Sequence, residues 1–333
     1  MIRIGVIGYG YWGPNIVRNL RSLERCRVAA VCDQSPAALQ RAKQTYPDLP
    51  VTTEPRKLLT SSQLDAIAVV TPVCTHFELA KGALENGKHV FIEKPFTLTT
   101  PEAEKLIELA DRKNLRIMVD HTFLFTGAVR KIRQLIEEGV LGDLYYYDST
   151  RVNLGLFQHD VSVIWDLAPH DLSIMDFLIE EKAEAVSATG GAHLNGLVDI
   201  AFITIYFPRN TIAHLNVNWL SPVKIRTTLI GGEKKMLVWN DLEADEKVKI
   251  YDKGVQMNNG QGLYDLLVSY RSGDMWAPRV EQAEALRVEL DYFIDCVTKG
   301  QTPVNDGVTG LRVVRMLEAA ERSLKERGRV VQL

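Results

Sequence analysis

The sequence has little of what would assign it to a specialised class of protein. Its 333 residues include four cysteines, scattered without the spacing of a zinc site or a disulfide framework, and the histidines form no metal-ligand grouping. No apolar run reaches transmembrane length, and the first residues enter a strand pattern without the charged segment of a signal peptide. A net charge of −3 leaves no broad positive field to attract nucleic acid or an anionic membrane. We therefore expect a cytoplasmic protein that acts on a small molecule, with no metal, nucleic acid or membrane partner.

The length exceeds what one hydrophobic core usually supports, so two domains are expected. Over residues 1–121, short apolar runs alternate with helix-like segments, which is typical of a doubly wound parallel sheet covered on both faces. Ser35-Pro36 and Thr100-Pro101 each offer a capping hydroxyl followed by a proline, and Gly87 marks a helix end. Strands are predicted at residues 2–7, 28–32, 66–70, 90–92 and 116–119.

The pattern changes over residues 122–333, where strand-like runs with partial alternation and hairpin spacing dominate. We predict an α+β domain with a large, mostly antiparallel, open-faced sheet. Helices are expected at 128–138, which ends near Gly139, at 166–178, and at 280–298 and 308–327, the last two completing this domain. Its strands are predicted at residues 145–152, 200–207, 212–218, 225–230, 236–239 and 248–251.

A glycine-rich turn follows the first predicted strand and opens a helix. Gly8 allows a tight turn, Gly10 lets backbone amides approach a pyrophosphate, and Gly13 permits close packing of the helix on the strand. Asp33 ends the second strand, where a carboxylate can accept hydrogen bonds from the adenosine ribose. This combination predicts a dinucleotide site. Since Asp33 would repel a 2′-phosphate and Gln34-Ser35 supplies no cation, NAD is favoured over NADP.

Three aromatic residues, Tyr9, Tyr11 and Trp12, lie inside this turn and are grouped with the cofactor-binding residues. Aromatic side chains are unusual in a phosphate-binding loop. They either pack against the second domain or line the substrate cleft, and both alternatives stay open at this point.

Two strand ends in the N-terminal domain carry chemically capable residues. Glu93-Lys94-Pro95 follows the strand at 90–92, and Thr71-Pro72 with His76 follows the strand at 66–70. Open α/β sheets bind ligands at the carboxyl ends of their strands, so these residues are candidates for contact with cofactor or substrate. Pro95 also keeps Lys94 out of the α conformation and directs it away from the strand. A solvated Glu-Lys pair and a helix-capping His76 are the ordinary alternatives.

In the second half of the chain, Asp166 precedes His170 by four residues, so on a helix the two share one face. Histidine is suited to proton transfer near neutral pH, and a nearby carboxylate can orient it and stabilise its cation. A structural histidine is the alternative for this fragment.

Taken together and in this order, these segments resemble the glucose-fructose oxidoreductase and inositol dehydrogenase (Gfo/Idh/MocA) family over nearly the whole chain. The resemblance implies that Lys94, Asp166 and His170 are catalytic, that the nicotinamide lies between the domains, and that the second sheet covers the substrate and joins subunits into a homodimer or homotetramer. Residues 12–14 and 153–158 are most similar to sugar-nucleotide 3-dehydrogenases. The resemblance rests on Gly8–Gly13, Asp33, Thr71-Pro72 with His76, Glu93-Lys94-Pro95, residues 135–142, residues 166–171 and Asp306-Gly307.

The expected activity is therefore NAD(P)-dependent oxidation of a secondary alcohol on a sugar, preferably a nucleotide-linked one. His170 would take the hydroxyl proton, Asp166 would orient it, and Lys94 would stabilise the developing negative charge, with Lys94 as the alternative base. A dehydrogenase of a free polyol or sugar such as inositol or glucose is the second expectation, and a non-enzymatic dinucleotide-sensing regulator is the third. A sugar diphosphate needs cations, and the candidates are Arg151, Lys224, Arg226, Arg271 and Arg279.

Overall fold

The computed structural model describes residues 1–155, 161–259 and 266–333. The chain divides into two compact units. The first unit contains Met1–Phe125 and Ala283–Glu318, and the second contains Thr126–Gln282 and Ala319–Leu333. Residues 156–158, which contributed to the resemblance above, lie outside the described residues. In the described part of the chain, no helix is long and apolar enough to cross a membrane.

The first unit is built on a six-stranded parallel sheet with the order β3-β2-β1-β4-β5-β6. This order reverses direction between β1 and β4, which is the point where doubly wound sheets bind ligands. Every residue of β4 and of β6 is buried, as expected for strands covered on both faces. The elements are β1 (Ile2–Ile7), α1 (Gly13–Arg21), β2 (Cys26–Cys32), α2 (Pro36–Thr45), β3 (Val51–Thr52), α3 (Pro55–Leu59), β4 (Ala66–Val69), α4 (His76–Glu85), β5 (His89–Glu93), α5 (Thr100–Arg112) and β6 (Ile117–Asp120).

The predicted α/β class is confirmed, and the five predicted strands correspond to β1, β2, β4, β5 and β6. Strand β3 was missed because two residues are too few for a periodic pattern. The Ser35 hydroxyl caps α2 by accepting a hydrogen bond from the Ala38 amide, as predicted. The cap of α5 is Thr99 rather than Thr100, because Thr99 has the extended backbone and forms a reciprocal capping box with Glu102.

The second unit is built on a nine-stranded sheet with the order β14-β13-β12-β11-β7-β10-β9-β8-β15. Its described strand pairs are antiparallel except β7 with β10. The elements that follow β6 are α6 (Gly127–Glu137), β7 (Leu144–Leu154), α7 (Val163–Leu178), β8 (Ala185–Gly191), β9 (Ile200–Tyr206), β10 (Ile212–Asn218), β11 (Leu220–Gly232), β12 (Met236–Asn240), β13 (Val248–Asn259), β14 (Leu266–Trp276), α8 (Ala285–Lys299), α9 (Gly307–Lys325) and β15 (Val331–Gln332).

One face of this sheet packs on α7, and the side chains of the central strands alternate accordingly. On β9, Ala201, Ile203 and Ile205 are buried while Phe202 between them is 43% exposed. Strand β10 alternates in the same way. The predicted α+β domain with an open-faced, mostly antiparallel sheet is therefore confirmed. Strands β8, β14 and β15 were missed, because β8 and β14 include glycine and other residues unfavourable to strands and β15 is very short.

The two C-terminal helices do not simply complete the second domain, and this part of the prediction is wrong. All of α8, and α9 as far as Glu318, belong to the first unit. Helix α8 packs against α1, and the ring of its Phe293 meets Phe91 of β5 edge-on at a centroid distance of 5.7 Å. Periodicity gives the apolar face of a helix but does not identify the sheet that the face will cover.

Candidate functional site

The glycine turn after β1 has the shape that a dinucleotide phosphate requires. Gly8 has a φ of +106°, and a Cβ on it would lie 2.0 Å from the carbonyl oxygen of Val70. A Cβ on Gly13 would lie 2.4 Å from the carbonyl oxygen of Gly8, so close packing excludes any side chain at both positions. Gly10 differs, because no described atom lies within 4 Å of a Cβ built there. The backbone at Gly10 is therefore open to a ligand at the beginning of α1, where the helix dipole favours an anion.

Asp33 holds this turn by hydrogen bonds to backbone amides. Its Oδ2 accepts from the Tyr9 amide at 2.6 Å and its Oδ1 accepts from the Ser35 amide at 2.7 Å. Each carboxylate oxygen has a further lone pair, so the half-buried group can also accept from ribose hydroxyls. Sequence reasoning missed Arg41 of α2, whose Nη2 lies 3.5 Å from the Tyr9 carbonyl oxygen and brings a cation to the same turn.

The three aromatic residues of the turn have different environments. Tyr9 is buried inside the first unit, and this burial raises the pKa of its phenol, which contacts Thr45 at the end of α2. The alternative in which the Tyr9 side chain lines the substrate cleft is therefore wrong. Tyr11 is 86% exposed. Trp12 is half-buried, and its indole Nε1 donates a hydrogen bond to Oδ2 of Asp120 at 3.1 Å.

Glu93 is the last residue of β5 and lies opposite Asp120, the last residue of β6. Lys94 follows at this carboxyl edge of the sheet and is half-buried, and its peptide bond to Pro95 is cis. The predicted strand-end position of Glu93, Lys94 and Pro95 is therefore observed.

His76 does not present its ring to a ligand. The imidazole is fully buried, with Nδ1 2.9 Å from the Pro95 carbonyl oxygen and Nε2 2.8 Å from the Thr71 carbonyl oxygen. Burial lowers the pKa of His76, so the ring is neutral at physiological pH. The expected side-chain contact between His76 and the cofactor is therefore wrong. The ring instead ties the segment after β4 to the segment after β5. Thr71 is partly exposed there and Pro72 is exposed.

In the second unit, Asp166 and His170 lie one turn apart near the beginning of α7. From Val163 to Met175 the partly exposed residues are Asp166, Leu167 and His170, and the others are buried. The two candidate catalytic side chains therefore lie on the one accessible side of this helix.

Trp219 is a residue that sequence reasoning missed. It is 1% exposed, and its indole Nε1 donates a hydrogen bond to Oδ2 of Asp166 at 3.2 Å. The Trp219 amide donates to the Asp199 carbonyl oxygen at 2.9 Å, which fixes the backbone that carries the indole. Trp219 lies between β10 and β11 and is 53 residues from Asp166, so no local motif could indicate this contact.

Asp171, the next residue after His170, lies on the buried side of α7. Its Oδ2 accepts from Nε of Arg151 at 2.6 Å, and its Oδ1 accepts from Nη2 of Arg151 at 3.1 Å and from the Ser149 hydroxyl at 2.8 Å. Burial opposes the charge of Arg151, but Asp171 overcomes this and raises the pKa of the guanidinium. Arg151 is therefore part of the core of the second unit, and its earlier assignment as a candidate diphosphate ligand is wrong.

The other candidate cations differ in exposure. Arg226 pairs with Asp241 at 3.3 Å, and Arg271 pairs with Asp252 at 2.9 Å. Lys224 and Arg279 are exposed. Because Arg226 and Arg271 already pair with partly buried carboxylates, Lys224 and Arg279 are better placed to bind an anionic ligand.

These features define a dinucleotide-binding Rossmann unit joined to an α+β unit that carries a histidine and a carboxylate on one helix face. A family model described as the oxidoreductase family, NAD-binding Rossmann fold, matches residues 2–121, and the GFO/IDH/MocA C-terminal domain model matches residues 129–238. The chain belongs to the Gfo/Idh/MocA family and is an NAD-binding oxidoreductase, which confirms the predictions of an enzyme and of its cofactor.

Named relatives share nearly the full length of the chain. The UDP-N-acetylglucosamine 3-dehydrogenase of Acidithiobacillus ferrooxidans is 28% identical over 322 residues, 94% of each chain. The scyllo-inositol 2-dehydrogenase (NAD(+)) of Bacillus subtilis is 26% identical over 349 residues, 100% of this chain and 96% of that protein. A crystal structure of the Acidithiobacillus enzyme has a TM-score of 0.81, with 25% identity and 98% of each chain covered.

Proposed function

We propose that the chain oxidises a secondary alcohol of a nucleotide-linked sugar, as the name of its relative in Acidithiobacillus states for that enzyme. The observation that carries the proposal is the accessible side of α7, where the indole of Trp219 holds Asp166 one turn from His170. The glycine turn and Asp33 fit the dinucleotide, which when bound would accept the hydride at its nicotinamide ring.

The proposed roles follow from the chemistry of the side chains. His170 takes the hydroxyl proton, because an imidazole is the group best matched to proton transfer near neutral pH. Asp166, oriented by Trp219, stabilises the imidazolium that forms. Lys94, an ammonium at the carboxyl edge of the first sheet, stabilises negative charge on the reacting oxygen. Lys94 is the alternative base.

Alanine variants test these roles. We expect Lys94→Ala and His170→Ala each to lower kcat by roughly 10²- to 10⁴-fold, as the loss of a general acid or base does, while the Kd for NAD stays within about twofold. Lys105→Ala, an exposed lysine on α5, is the matched control and should leave both unchanged. Full turnover in both Lys94→Ala and His170→Ala would contradict the assignment.

Lys224 is our candidate contact for the sugar diphosphate. Leu220 pairs with Leu154 and Ile225 pairs with Val152, so residues 221–224 bulge from the ladder of β11. This bulge begins two residues after Trp219, the residue that holds Asp166, and Lys224 within it is exposed. Lys224→Ala should raise KM for a sugar nucleotide by about tenfold, with the exposed Lys105→Ala variant as the control cation. An equal effect of both variants, or none, would remove this assignment.

Oxidation of a free polyol is the second candidate, because the inositol dehydrogenase of Bacillus is nearly as similar over the whole chain. The discriminating experiment incubates the protein with NAD⁺ or NADP⁺ and a panel of UDP-sugars, inositols and glucose, follows NADH or NADPH formation, and identifies products by NMR. Oxidation of UDP-sugars alone supports the main proposal. Oxidation of inositol or glucose, with every sugar nucleotide inert, would replace it with the second.

We also propose that the protein forms a homodimer or homotetramer through the uncovered face of the nine-stranded sheet. Phe202, Ile212 and Leu229 are exposed apolar side chains on its central strands. Light scattering should give an oligomeric mass for the wild type and a smaller mass for Phe202→Glu, because a charge cannot be buried there without a partner. A monomeric wild type at micromolar concentration would contradict this.

A further inference from the structure

Two carboxyl groups lie buried together at the carboxyl edge of the Rossmann sheet. Asp120, the last residue of β6, is 2% exposed, and Glu289 of α8 is fully buried. The two carboxyl groups are within hydrogen-bonding reach of each other. Two ionised carboxylates buried side by side would repel each other and would both lack water, which is energetically costly. One of the two must therefore carry a proton, or nearby cations must neutralise the charge of the pair.

The donors around the pair are unevenly distributed. Asp120 accepts from the indole of Trp12 at 3.1 Å and from the hydroxyl of Thr122. Glu289 accepts from Nδ2 of Asn305 at 2.9 Å through Oε1. Its other oxygen, Oε2, is buried and accepts no hydrogen bond from the groups that the structure describes. Asp120 therefore receives hydrogen bonds from two protein donors, as an ionised carboxylate requires. Glu289 receives one through Oε1, and its Oε2 receives none from the described groups.

A proton on Glu289 resolves this imbalance. A buried ionised oxygen without a donor is costly, whereas a protonated Oε2 becomes a donor that can reach the Asp120 carboxylate. The surrounding charges agree with this placement. Burial, the charge of Asp120 and the charge of Glu93 raise the pKa of Glu289 well above its usual value, and the Thr122 hydroxyl opposes this only in part. Burial also raises the pKa of Asp120, but Thr122, Trp12 and Lys94 oppose that rise.

We propose that Glu289 is a neutral acid that donates a hydrogen bond to the Asp120 carboxylate, and that this buried pair positions Trp12 and thereby the NAD-binding turn. Trp12 is the residue that precedes α1, and its carbonyl oxygen accepts from the amides of Asn15 and Ile16. The anchor on Asp120 therefore fixes the residue at the beginning of α1, directly after the glycine turn that fits a dinucleotide phosphate. Asp120 and Glu289 are positioning residues, and this role depends on NAD binding but not on which alcohol is oxidised.

A double-mutant cycle on NAD affinity tests the link between Trp12 and Asp120. Calorimetry measures the Kd for NAD⁺ in the wild type, Trp12→Phe, Asp120→Asn and the double variant, without reference to turnover. Each single variant should raise Kd by about tenfold, as expected for loss of a hydrogen bond to a charged group, and the double variant should be no weaker than the weaker single variant. Trp276→Phe and Asp111→Asn, at exposed positions, are the matched controls and should not change Kd.

Glu289→Gln tests the proton directly, since glutamine reproduces a neutral acid that donates through one atom and accepts through the other. We expect Kd for NAD⁺ to stay within about twofold of wild type, and the infrared C=O stretch of a neutral carboxylic acid at pH 7 to disappear in Glu289→Gln but not in Asp111→Asn.

Three results would overturn the proposal. Multiplicative effects of Trp12→Phe and Asp120→Asn, giving about a hundredfold loss together, would show that the two residues act independently. Loss of NAD affinity in Glu289→Gln, with no infrared difference, would show that Glu289 is ionised. If circular dichroism shows that Asp120→Asn does not fold, the other two variants still test the proposal. Trp12→Phe must weaken NAD binding and Glu289→Gln must not. The NAD-binding measurements contain no sugar substrate. Their outcomes can therefore be distinguished from a failure of the sugar-oxidation proposal.

Discussion

The buried ion pair of Arg151 and Asp171 gives the sharpest test of how the second unit is held together. We consider Asp171→Asn, which keeps the size of the side chain and removes its charge. The guanidinium and the carboxylate are 7% and 3% exposed as side chains and share two hydrogen bonds. The variant removes the carboxylate that is hydrogen-bonded to the buried Arg151 cation, and breaking a buried pair in this way typically costs about 3–5 kcal/mol of unfolding free energy, or roughly 6–20 °C in Tm for a domain of this size.

Urea unfolding followed by circular dichroism measures this loss. The control Glu137→Gln removes an exposed partner of Arg133 on α6 in the same unit and should cost less than about 1 kcal/mol. The double variant Arg151→Met with Asp171→Leu should recover most of the stability, because apolar side chains of similar volume can replace a buried pair. The reasoning is refuted if Asp171→Asn costs less than about 1 kcal/mol, or if the double variant is as unstable as the single one. A rise in KM for Arg151→Met without any loss of stability would return Arg151 to the substrate-binding candidates.

Three further predictions follow from the hydrogen bonds of the two units. Trp219→Phe keeps most of the buried volume but loses the hydrogen-bond donor to Asp166. We expect kcat to fall by about tenfold while the Kd for NAD is unchanged. An unchanged kcat would show that Trp219 does not position the carboxylate. Asp33→Asn places an amide NH₂ against one of the two backbone N–H groups that donate to this side chain, so one hydrogen bond that holds the turn is lost. Calorimetry should then show the Kd for NAD raised by about tenfold. An unaltered Kd would exclude Asp33 from the site. Because burial raises the pKa of Glu289, the unfolded chain releases this proton above its usual pKa of 4.5 while the folded protein keeps it, so the stability from this group is present at low pH and declines as the pH rises. Denaturant unfolding at several pH values should therefore show Glu289→Gln gaining stability relative to the wild type as the pH rises above the usual glutamate pKa of 4.5, and a constant difference would contradict the neutral acid.

Much of the fold and part of the candidate site were predictable from local sequence. The glycine turn could be recognised because its constraint is local: the φ of Gly8 and the close approach of Gly13 to Gly8 exclude side chains within a six-residue segment. Asp33 and Lys94 could be placed because consecutive parallel strands bring their carboxyl ends to one edge. The shared face of Asp166 and His170 follows from the helical repeat.

What only the tertiary structure decided concerns groups far apart in the chain. His76 looked like a ligand contact, but its ring bonds the backbones after β4 and β5. Arg151 looked like a surface cation, but β7 and α7 bury it against Asp171. The partners of Asp120 lie 108 residues before it and, on α8, well after it. Residue spacing determines which side of a helix or strand a side chain occupies. Its partner across the core, and therefore its charge and its role, depends on packing between elements that no local pattern records.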